Sequence, residues 1–277
     1  MNRLKHMKGQ IIVYAVLIAM LIFTVYPIYW MLFAGTFDAA TLVDFVFGLI
    51  PGNNILNNYE TISISFNMVT VLKNTFFISI IGTLLSLFIN LSMGYAFAKY
   101  DFKYKSIIFN IFLVTMFIGG AAVMIPQFEI IVNLGLYNSL FAIILPGVYS
   151  SYNTLLARQI LMDFPTEIIE SGRIDGYNEV KIFWGLVVPN VKPIVSTIAI
   201  ITFMGYWNSY LWNLVVTSSA DKYTLQVALA TMYPHAGTWT YAPIKMLGAA
   251  ISVLPILILF IVMQKNFINS LTGSVKA

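Results

Sequence analysis

The sequence predicts an all-α integral membrane protein with six transmembrane helices. Hydrophobic residues make up 59% of the chain and charged residues only 9%, whereas a soluble domain carries roughly 25% charged residues. Such a chain cannot cover its own surface with polar groups, so lipid must cover much of it. A bilayer core about 30 Å thick needs roughly 20 apolar residues per crossing helix. The apolar segments of sufficient length fall at about residues 11–34, 70–98, 106–130, 137–160, 193–216 and 244–264.

The distribution of Lys and Arg predicts that both termini lie in the cytoplasm, because cytoplasmic segments of membrane proteins are enriched in these residues. With the N-terminus inside, only Lys73, Lys222 and Lys245 of the 15 basic residues lie outside. The domains are then a cytoplasmic N-terminus (1–10), a six-helix domain (11–264) and a cytoplasmic tail (265–277). The run 11–34 is too long for a typical signal-peptide core and no small-x-small pattern closes it, so we expect an uncleaved first span.

The residue inventory excludes several classes of function. The chain has no cysteine and only two histidines, His6 and His235, so a thiolate metal site is excluded and no His-Glu-x-x-His metal site is present. It has no Gly-x-x-x-x-Gly-Lys-Ser/Thr loop for nucleotide phosphates. We therefore expect no catalytic residue, metal or bound cofactor in this chain. The net charge of +4 indicates inside-facing basic residues rather than a nucleic-acid site.

The largest inner loop, residues 161–192, predicts two short helices separated at Gly176. Asp163 is expected to cap the first helix, and Pro165 suits its first turn. Gly176 is expected to terminate that helix. Asn178 and Glu179 are expected to begin the second helix.

Small and charged residues lie close together in the first of these loop helices. Gly172 and Gly176 are four apart, which predicts a bare face that another backbone can approach closely. Glu170, Arg173 and Asp175 supply charge beside that face. From these features alone, a docking element and an ordinary amphipathic loop resting at the lipid headgroups remain equal alternatives.

The loop contains a long gapped motif that resembles a known one. The stretch Glu170-Ser-Gly-Arg-Ile-Asp-Gly176, followed by Phe183 and Val187-Val-Pro189, is similar to the EAA loop of ABC-importer permeases. In that family the loop is a coupling helix that sits in a cleft of the ATP-hydrolysing subunit. The resemblance implies that Glu170, Ser171, Gly172, Asp175 and Gly176 contact that ATPase. Ser171 and Gly172 replace the usual alanines, and both are still small.

The resemblance covers nearly all of the chain. Trp207-Asn208 and the ending from Gln264 to Ala277 are similar to segments of the carbohydrate-uptake branch, in particular its maltose-type second permease. Gly119-Gly120 and the stretch 146–153 resemble permeases for complex or acidic oligosaccharides.

This family membership implies a set of partners and a location. They are a second homologous permease forming a heterodimer, two copies of a cytoplasmic ATP-binding subunit that hold ATP and Mg²⁺, and an extracytoplasmic sugar-binding protein. The expected location is a prokaryotic plasma or inner membrane, where the chain crosses the lipid bilayer several times and moves a sugar by ATP-driven alternating access. The alternatives are an ion-coupled secondary transporter, disfavoured because no acidic residue lies near the middle of a span, and an ABC permease for a non-sugar solute.

The resemblance also suggests contacts at the two sides of the membrane. Gly273, Val275 and Lys276 in the tail are expected to reach the ATPase, the alternative being a disordered end. Tyr233, His235 and Trp239 are expected to contact the binding protein, the alternative being an interfacial aromatic belt.

Polar and aromatic residues within or near the apolar segments predict a solute path. The residues proposed for this path are Asn90, Gln127, Trp207, Asn208 and Tyr210. Intramembrane polar groups usually face a bundle interior or a cavity. The alternative is that they hold helices together by hydrogen bonds.

Overall fold

A computed structural model of the protein describes residues 2–44, 50–232 and 241–273. These residues contain helices and no strand. The helices are, in order, α1 (Asn2–Ala34), α2 (Ala39–Asp44), α3 (Ile55–Ser65), α4 (Met68–Lys99), α5 (Lys105–Thr115), α6 (Gly120–Asn133), α7 (Leu140–Gly147), α8 (Ser151–Met162), α9 (Thr166–Ile174), α10 (Glu179–Ile182), a π-helical turn (Phe183–Val187), α11 (Val188–Asn190), α12 (Lys192–Trp207), α13 (Leu211–Val216), a 3₁₀ turn (Ala220–Lys222), α14 (Leu225–Thr231) and α15 (Ala242–Gly273). The all-α prediction is therefore confirmed for the part of the chain that is described.

Within residues 2–44, 50–232 and 241–273, three helices are long and apolar enough to cross a membrane without interruption. They contain the spans Ile12–Ala34, Met68–Lys99 and Ala242–Ile261, and the first two match the predicted segments within two residues. The remaining predicted spans are bent pairs of shorter helices. The described part of the chain therefore has three clear spans, and up to six if each bent pair counts as one.

The prediction of a single helix over 106–130 is wrong, because α5 ends at Thr115 and α6 begins at Gly120 with a bend of 103° between them. The break coincides with Gly119, whose extended backbone (φ −62°, ψ 137°) leaves the helical region. Glycine loses the most conformational freedom in a helix, so a Gly-Gly pair favours such a break.

The prediction of one helix over 193–216 is also wrong. α12 ends at Trp207, and α13 begins only at Leu211. Instead, α12 pairs with the segment Glu179–Asn190 across a bend of 88°. We treat only α12 as the membrane-spanning part of this pair, because Glu179–Asn190 begins with charged residues that belong to the inner loop. The segment 137–160 also divides into α7 and α8, with a smaller bend of 46°.

The described residues within 1–68 and 229–255 form one compact unit. The side chains at positions 12–27 of α1 are all exposed within this chain, whereas Phe33 and Ala34 at its end are buried. They pack with Phe37 and Leu42 into a small core. The buried Asn58 amide closes this core by donating to the carbonyls of Gly35 and Phe37 at 2.9 and 2.8 Å.

The described residues within 69–228 and 256–277 form the second unit. Its helices approach closely where small residues meet: a Cβ at Gly94 of α4 would lie 2.5 Å from the Cβ of Ala157 in α8. Close approach at small residues is how membrane helices gain packing energy without a hydrophobic driving force.

A buried polar residue in α4 holds the break between α7 and α8. The Asn90 side chain is fully buried and donates to the carbonyl of Val148 at 2.9 Å. It also accepts hydrogen bonds from the Ser150 amide at 2.9 Å and the Thr154 hydroxyl at 3.0 Å. These bonds replace backbone partners that the break removes, as a non-helical turn among apolar residues requires.

Candidate functional site

The inner loop contains α9, a helix of nine residues whose ends are well defined. The Gly176 amide donates to the Arg173 carbonyl at 3.0 Å and the Tyr177 amide to the Gly172 carbonyl at 2.9 Å. This pair of bonds is the Schellman motif, and Gly176 adopts the left-handed φ of +78° that the motif requires. The prediction that Gly176 terminates this helix is therefore confirmed.

The N-terminal ends of the two loop helices confirm one of the remaining predictions and contradict another. Asn178 begins α10, and its side chain accepts a hydrogen bond from the Lys181 amide at 2.8 Å, as expected. The prediction that Asp163 caps α9 is wrong, because Asp163 ends α8 instead. Pro165 occupies the N-cap position of α9 and supplies no side-chain hydrogen bond.

The exposed side of α9 carries most of the residues expected to couple. Glu170, Ser171, Asp175 and Gly176 are exposed. Ile174 lies beside them and is 86% exposed, an unusual position for a large apolar side chain. On its exposed side, α9 therefore presents charged groups and one large apolar side chain to a binding partner.

Gly172 does not belong to that exposed side, so the interpretation of a bare face shared by Gly172 and Gly176 is wrong. Gly172 is buried, and a Cβ there would lie 2.8 Å from Leu186 and 3.1 Å from Ile182 of the same chain. Because Gly172 has no side chain, α9 can pack closely against the following part of the same loop. Gly176 has open space around it, with no described atom within 4 Å of an added Cβ.

The opposite side of α9 is anchored in an apolar core. Ile169 and Phe183 are buried with Leu161 of α8 and Tyr95 of α4 in one cluster. The Tyr95 and Phe183 rings stack with centroids 4.7 Å apart. Burial of side chains from four segments packs the loop against α4 and α8.

Polar contacts also tie the loop to the end of α4. The Lys99 ammonium donates to the carbonyl of Phe164 at 2.5 Å. The Tyr100 hydroxyl donates to one carboxylate oxygen of Glu179, and the Arg173 guanidinium contacts the other oxygen at 2.7 Å. Hydrogen bonds from Arg173 and then Tyr100 lower the pKa of the Glu179 carboxyl. Burial, and then the bond to Glu179, raise the pKa of the Tyr100 hydroxyl.

The second unit also contains an open cavity of about 510 Å³ between α6, α7, α8, α12 and α13. Amide, hydroxyl and aromatic side chains lie on its wall, among them Gln127, Tyr152, Asn153, Ser209 and Trp212, and none of its lining residues is charged. The Asn153 amide nitrogen donates to the Thr202 hydroxyl at 3.0 Å, which leaves its oxygen without a protein partner among the described residues. Most of the wall is apolar, with these polar groups set into it, and such a wall suits an uncharged solute that has both hydroxyl groups and apolar faces.

Of the residues predicted for a solute path, Gln127 lines this cavity. Asn208 and Tyr210 lie exposed at the break after α12, on either side of Ser209. Trp207 is fully buried against Phe76 with ring centroids 4.9 Å apart. Asn90, with its hydrogen bonds taken by the chain, is likewise absent from the cavity wall.

Several predicted contacts lie outside the described residues. Tyr233, His235 and Trp239 of the outer loop are among these, as are Val275 and Lys276 of the tail. Gly273 is the last residue of α15.

Sequence reasoning missed the residues that anchor the loop and part of the cavity wall. From the sequence alone, Lys99 is only one of the inside charges, Glu179 only begins the second loop helix, and Tyr100 has no assigned role. The available signal was a Lys-Tyr pair directly after a long apolar run. Asn153 and Trp212 are polar groups within or beside predicted spans, which was the signal for the cavity wall.

Comparison with known proteins agrees with this architecture. Residues 90–273 match the family described as binding-protein-dependent transport system inner membrane component. The lactose transport system permease protein LacG of Rhizobium radiobacter is 30% identical over 282 residues, covering 100% of both chains. The arabinooligosaccharides transport system permease protein AraQ of Halalkalibacterium halodurans is 36% identical over 205 residues, covering 73% of this chain and 72% of that protein.

A solved structure has the same fold. It is that of a bacterial ABC transporter involved in the import of the acidic polysaccharide alginate, with a TM-score of 0.82 and 24% identity, covering 92% of this chain and 95% of that one. The resemblance drawn from the loop motif is therefore confirmed. The chain is the membrane component of such an importer, and a separate subunit hydrolyses ATP. The chain belongs to the binding-protein-dependent ABC-importer permeases, as an inner membrane component.

Proposed function

We propose that this chain imports a sugar, in particular an oligosaccharide or a complex or acidic sugar, by ATP-driven alternating access. The observation that carries the proposal is the full-length similarity to a lactose permease, together with the similarity to an arabino-oligosaccharide permease. The uncharged cavity lined by amide and aromatic groups supports a sugar as the solute. Because no lining residue of this cavity is charged, an acidic sugar would need its charge balanced by the partner permease.

The proposed assembly contains this chain, a second homologous permease, two ATP-binding subunits and an extracytoplasmic sugar-binding protein. ATP and Mg²⁺ bind the ATPase subunits and not this chain. The complex lies in a prokaryotic cell membrane, with both termini of this chain and the loop 161–192 on the cytoplasmic side, as the excess of basic residues there favours.

In this assembly, the exposed side of α9 docks on the ATPase. Glu170, Ser171, Asp175 and Gly176 are accessible to a partner, and the 86% exposed Ile174 supplies an apolar contact beside them. Gly172 supports the docking helix from within, because it packs on Leu186 and Ile182.

Contacts of the tail, of the outer loop and of the solute path complete the proposal. Gly273, Val275 and Lys276 reach the ATPase, so trimming the residues after Phe267 lowers the stimulation of ATPase activity by the loaded binding protein. Tyr233, His235 and Trp239 contact the binding protein. On the path itself, Gln127, Asn208 and Tyr210 are the predicted residues at or beside the cavity and the break after α12.

Uptake by membrane vesicles containing the assembled complex tests the function directly. We expect uptake with ATP and binding protein, and none with an ion gradient alone. Uptake on the ion gradient without ATP would overturn the proposal. A panel of sugars and phosphorylated polyols offered to the binding protein separates a sugar importer from a permease for another solute.

Glu170→Ala tests the coupling assignment within the same assay. We expect it to reduce uptake without reducing the amount of inserted protein, because a charge-assisted bond to the ATPase is lost. Glu60→Ala is the matched control, since Glu60 is also exposed and lies on the side predicted to be extracytoplasmic. Equal uptake by the two variants would contradict the assignment.

A further inference from the structure

Two adjacent residues at the end of α4 hold the two ends of the loop that contains α9. Lys99 binds the end that precedes α9, where its ammonium donates to the carbonyls of Met162 at 3.3 Å and Phe164 at 2.5 Å. It also lies 3.5 Å from the hydroxyl of Thr166, the first residue of α9. These acceptors include carbonyls left free where α8 ends, which a cation satisfies well.

Tyr100 binds the end that follows α9. Its hydroxyl donates to a carboxylate oxygen of Glu179, the first residue of α10. The other oxygen of Glu179 accepts from the Arg173 guanidinium at 2.7 Å, and Arg173 belongs to the last turn of α9. Glu179 thus connects α4, α9 and α10 through one carboxylate. Hydrogen bonds to an ionised group are the stronger kind and are directional.

The same helix contacts the wall of the cavity. Asn90 lies nine residues before Lys99, or about 14 Å along the axis at 1.5 Å per residue. It binds Val148 and Ser150 at the break between α7 and α8, and Ser150 lines the cavity. A single continuous helix therefore contacts the loop at one point and the cavity wall at the other.

We propose that Tyr100, Arg173 and Glu179 are positioning residues, which hold α9 rigidly to α4 so that a displacement of α9 reaches the cavity wall. The inference rests on the proposed function, because it assigns these residues to the coupling of ATP hydrolysis to transport. They act through α9 and α4 and contact neither solute nor nucleotide. A loop held only by its apolar core could tilt on α4, whereas two polar attachments at its ends fix its direction.

The test is the number of solute molecules transported per ATP hydrolysed by the complete complex in proteoliposomes. We expect Tyr100→Phe and Glu179→Gln to lower this ratio about two- to fivefold, the effect of losing a partly exposed charge-assisted contact. The double variant should lower the ratio by less than the two single losses added together, because Tyr100→Phe removes a hydrogen bond that Glu179→Gln has already weakened by removing its charge. Tyr104→Phe is the matched control, since Tyr104 is 59% exposed and its hydroxyl is not part of this network.

Two further measurements separate positioning from a general loss of structure. Exchanging the charges, Arg173→Glu with Glu179→Arg, should restore part of the ratio lost by either single substitution. Hydrogen exchange of the α9 amides in the complex should become faster in Tyr100→Phe and stay unchanged in Tyr104→Phe. The copurified amount of ATPase subunit reports assembly for every variant.

The outcomes are distinct. A normal ratio in Tyr100→Phe and Glu179→Gln, even with faster exchange in α9, would overturn the positioning role and leave the network merely structural. Additive losses in the double variant would also overturn it. A wild-type complex that shows no ATP-dependent uptake would instead refute the proposed function itself.

Discussion

The substitution Asn90→Ala probes the polar hub that holds α4 to the break between α7 and α8. It removes the partners of the Val148 carbonyl, the Ser150 amide and the Thr154 hydroxyl, which lie 2.9, 2.9 and 3.0 Å from the Asn90 side chain. An interhelical hydrogen bond in a membrane protein contributes about 0.6 kcal/mol on average and about 1.7 at most. Three such bonds give an expected loss of roughly 2–5 kcal/mol in the free energy of unfolding.

The assay is unfolding of the purified chain in mixed micelles by added denaturing detergent, followed by tryptophan fluorescence. Asn110→Ala is the control, because Asn110 is exposed in α5 and the same atoms are deleted. We expect Asn110→Ala to change the free energy of unfolding by less than about 0.5 kcal/mol, as exposed substitutions usually do. If Asn90→Ala were equally mild, the hub would contribute nothing to stability, and the argument that it replaces missing backbone bonds would fail.

Three further substitutions test other features. Gly94→Leu should block folding or strongly lower the yield of inserted protein, because a Cβ at this position would already lie 2.5 Å from Ala157. Gly119→Leu is the control and should be inserted normally, because the space around Gly119 is open. An immunoblot of membranes measures the inserted amount of both variants. Gly176→Val should destabilise the end of α9 by about 1–2 kcal/mol, the cost of a left-handed φ for a branched residue, and hydrogen exchange at the α9 amides would show it; unchanged exchange would contradict the assigned cap. The pKa of the Glu179 carboxyl is lowered from its ordinary 4.5, so its stabilising effect is complete above pH 4.5 and is lost as the pH falls through the lowered value. The difference in stability between wild type and Glu179→Gln should therefore vanish in acid. A difference that grew in acid would refute this reasoning.

Composition and residue order were sufficient to predict the helical class and the uninterrupted spans. The run 70–98 contains no proline, and its two glycines, Gly82 and Gly94, are well separated, so the length of the run decided the outcome. The loop helix was equally predictable, because Gly176 and Asn178 act locally through the backbone of their own neighbours.

The breaks in the remaining helices were harder to predict. Gly119 and Asn208 lie within apolar runs, and hydropathy alone does not show whether a glycine or an asparagine interrupts a membrane helix. The outcome depends on whether neighbouring segments supply partners for the freed backbone groups, as Asn90 does for Val148 and Ser150. Such partners are distant in sequence.

Contacts between distant residues also explain which site residues were missed. Tyr100 and Glu179 are 79 positions apart, and nothing in either local sequence indicates that they meet. Gly172 was assigned to a docking face because helical spacing places it beside Gly176, but the same spacing is compatible with packing on the following π-helical turn. Only the fold distinguishes the two.

The exposed first helix has a consequence for how the protein is made. The segment Ile12–Ala34 has a mean hydropathy of 2.2 over 23 residues, and none of its most apolar window is buried inside the chain. Its transfer from the translocon into lipid therefore needs no helix that is synthesised later, since membrane helices with sufficient apolar length insert on their own. During translation this segment can enter the bilayer first and tether the nascent chain there while the broken helices wait for their packing partners to emerge from the ribosome.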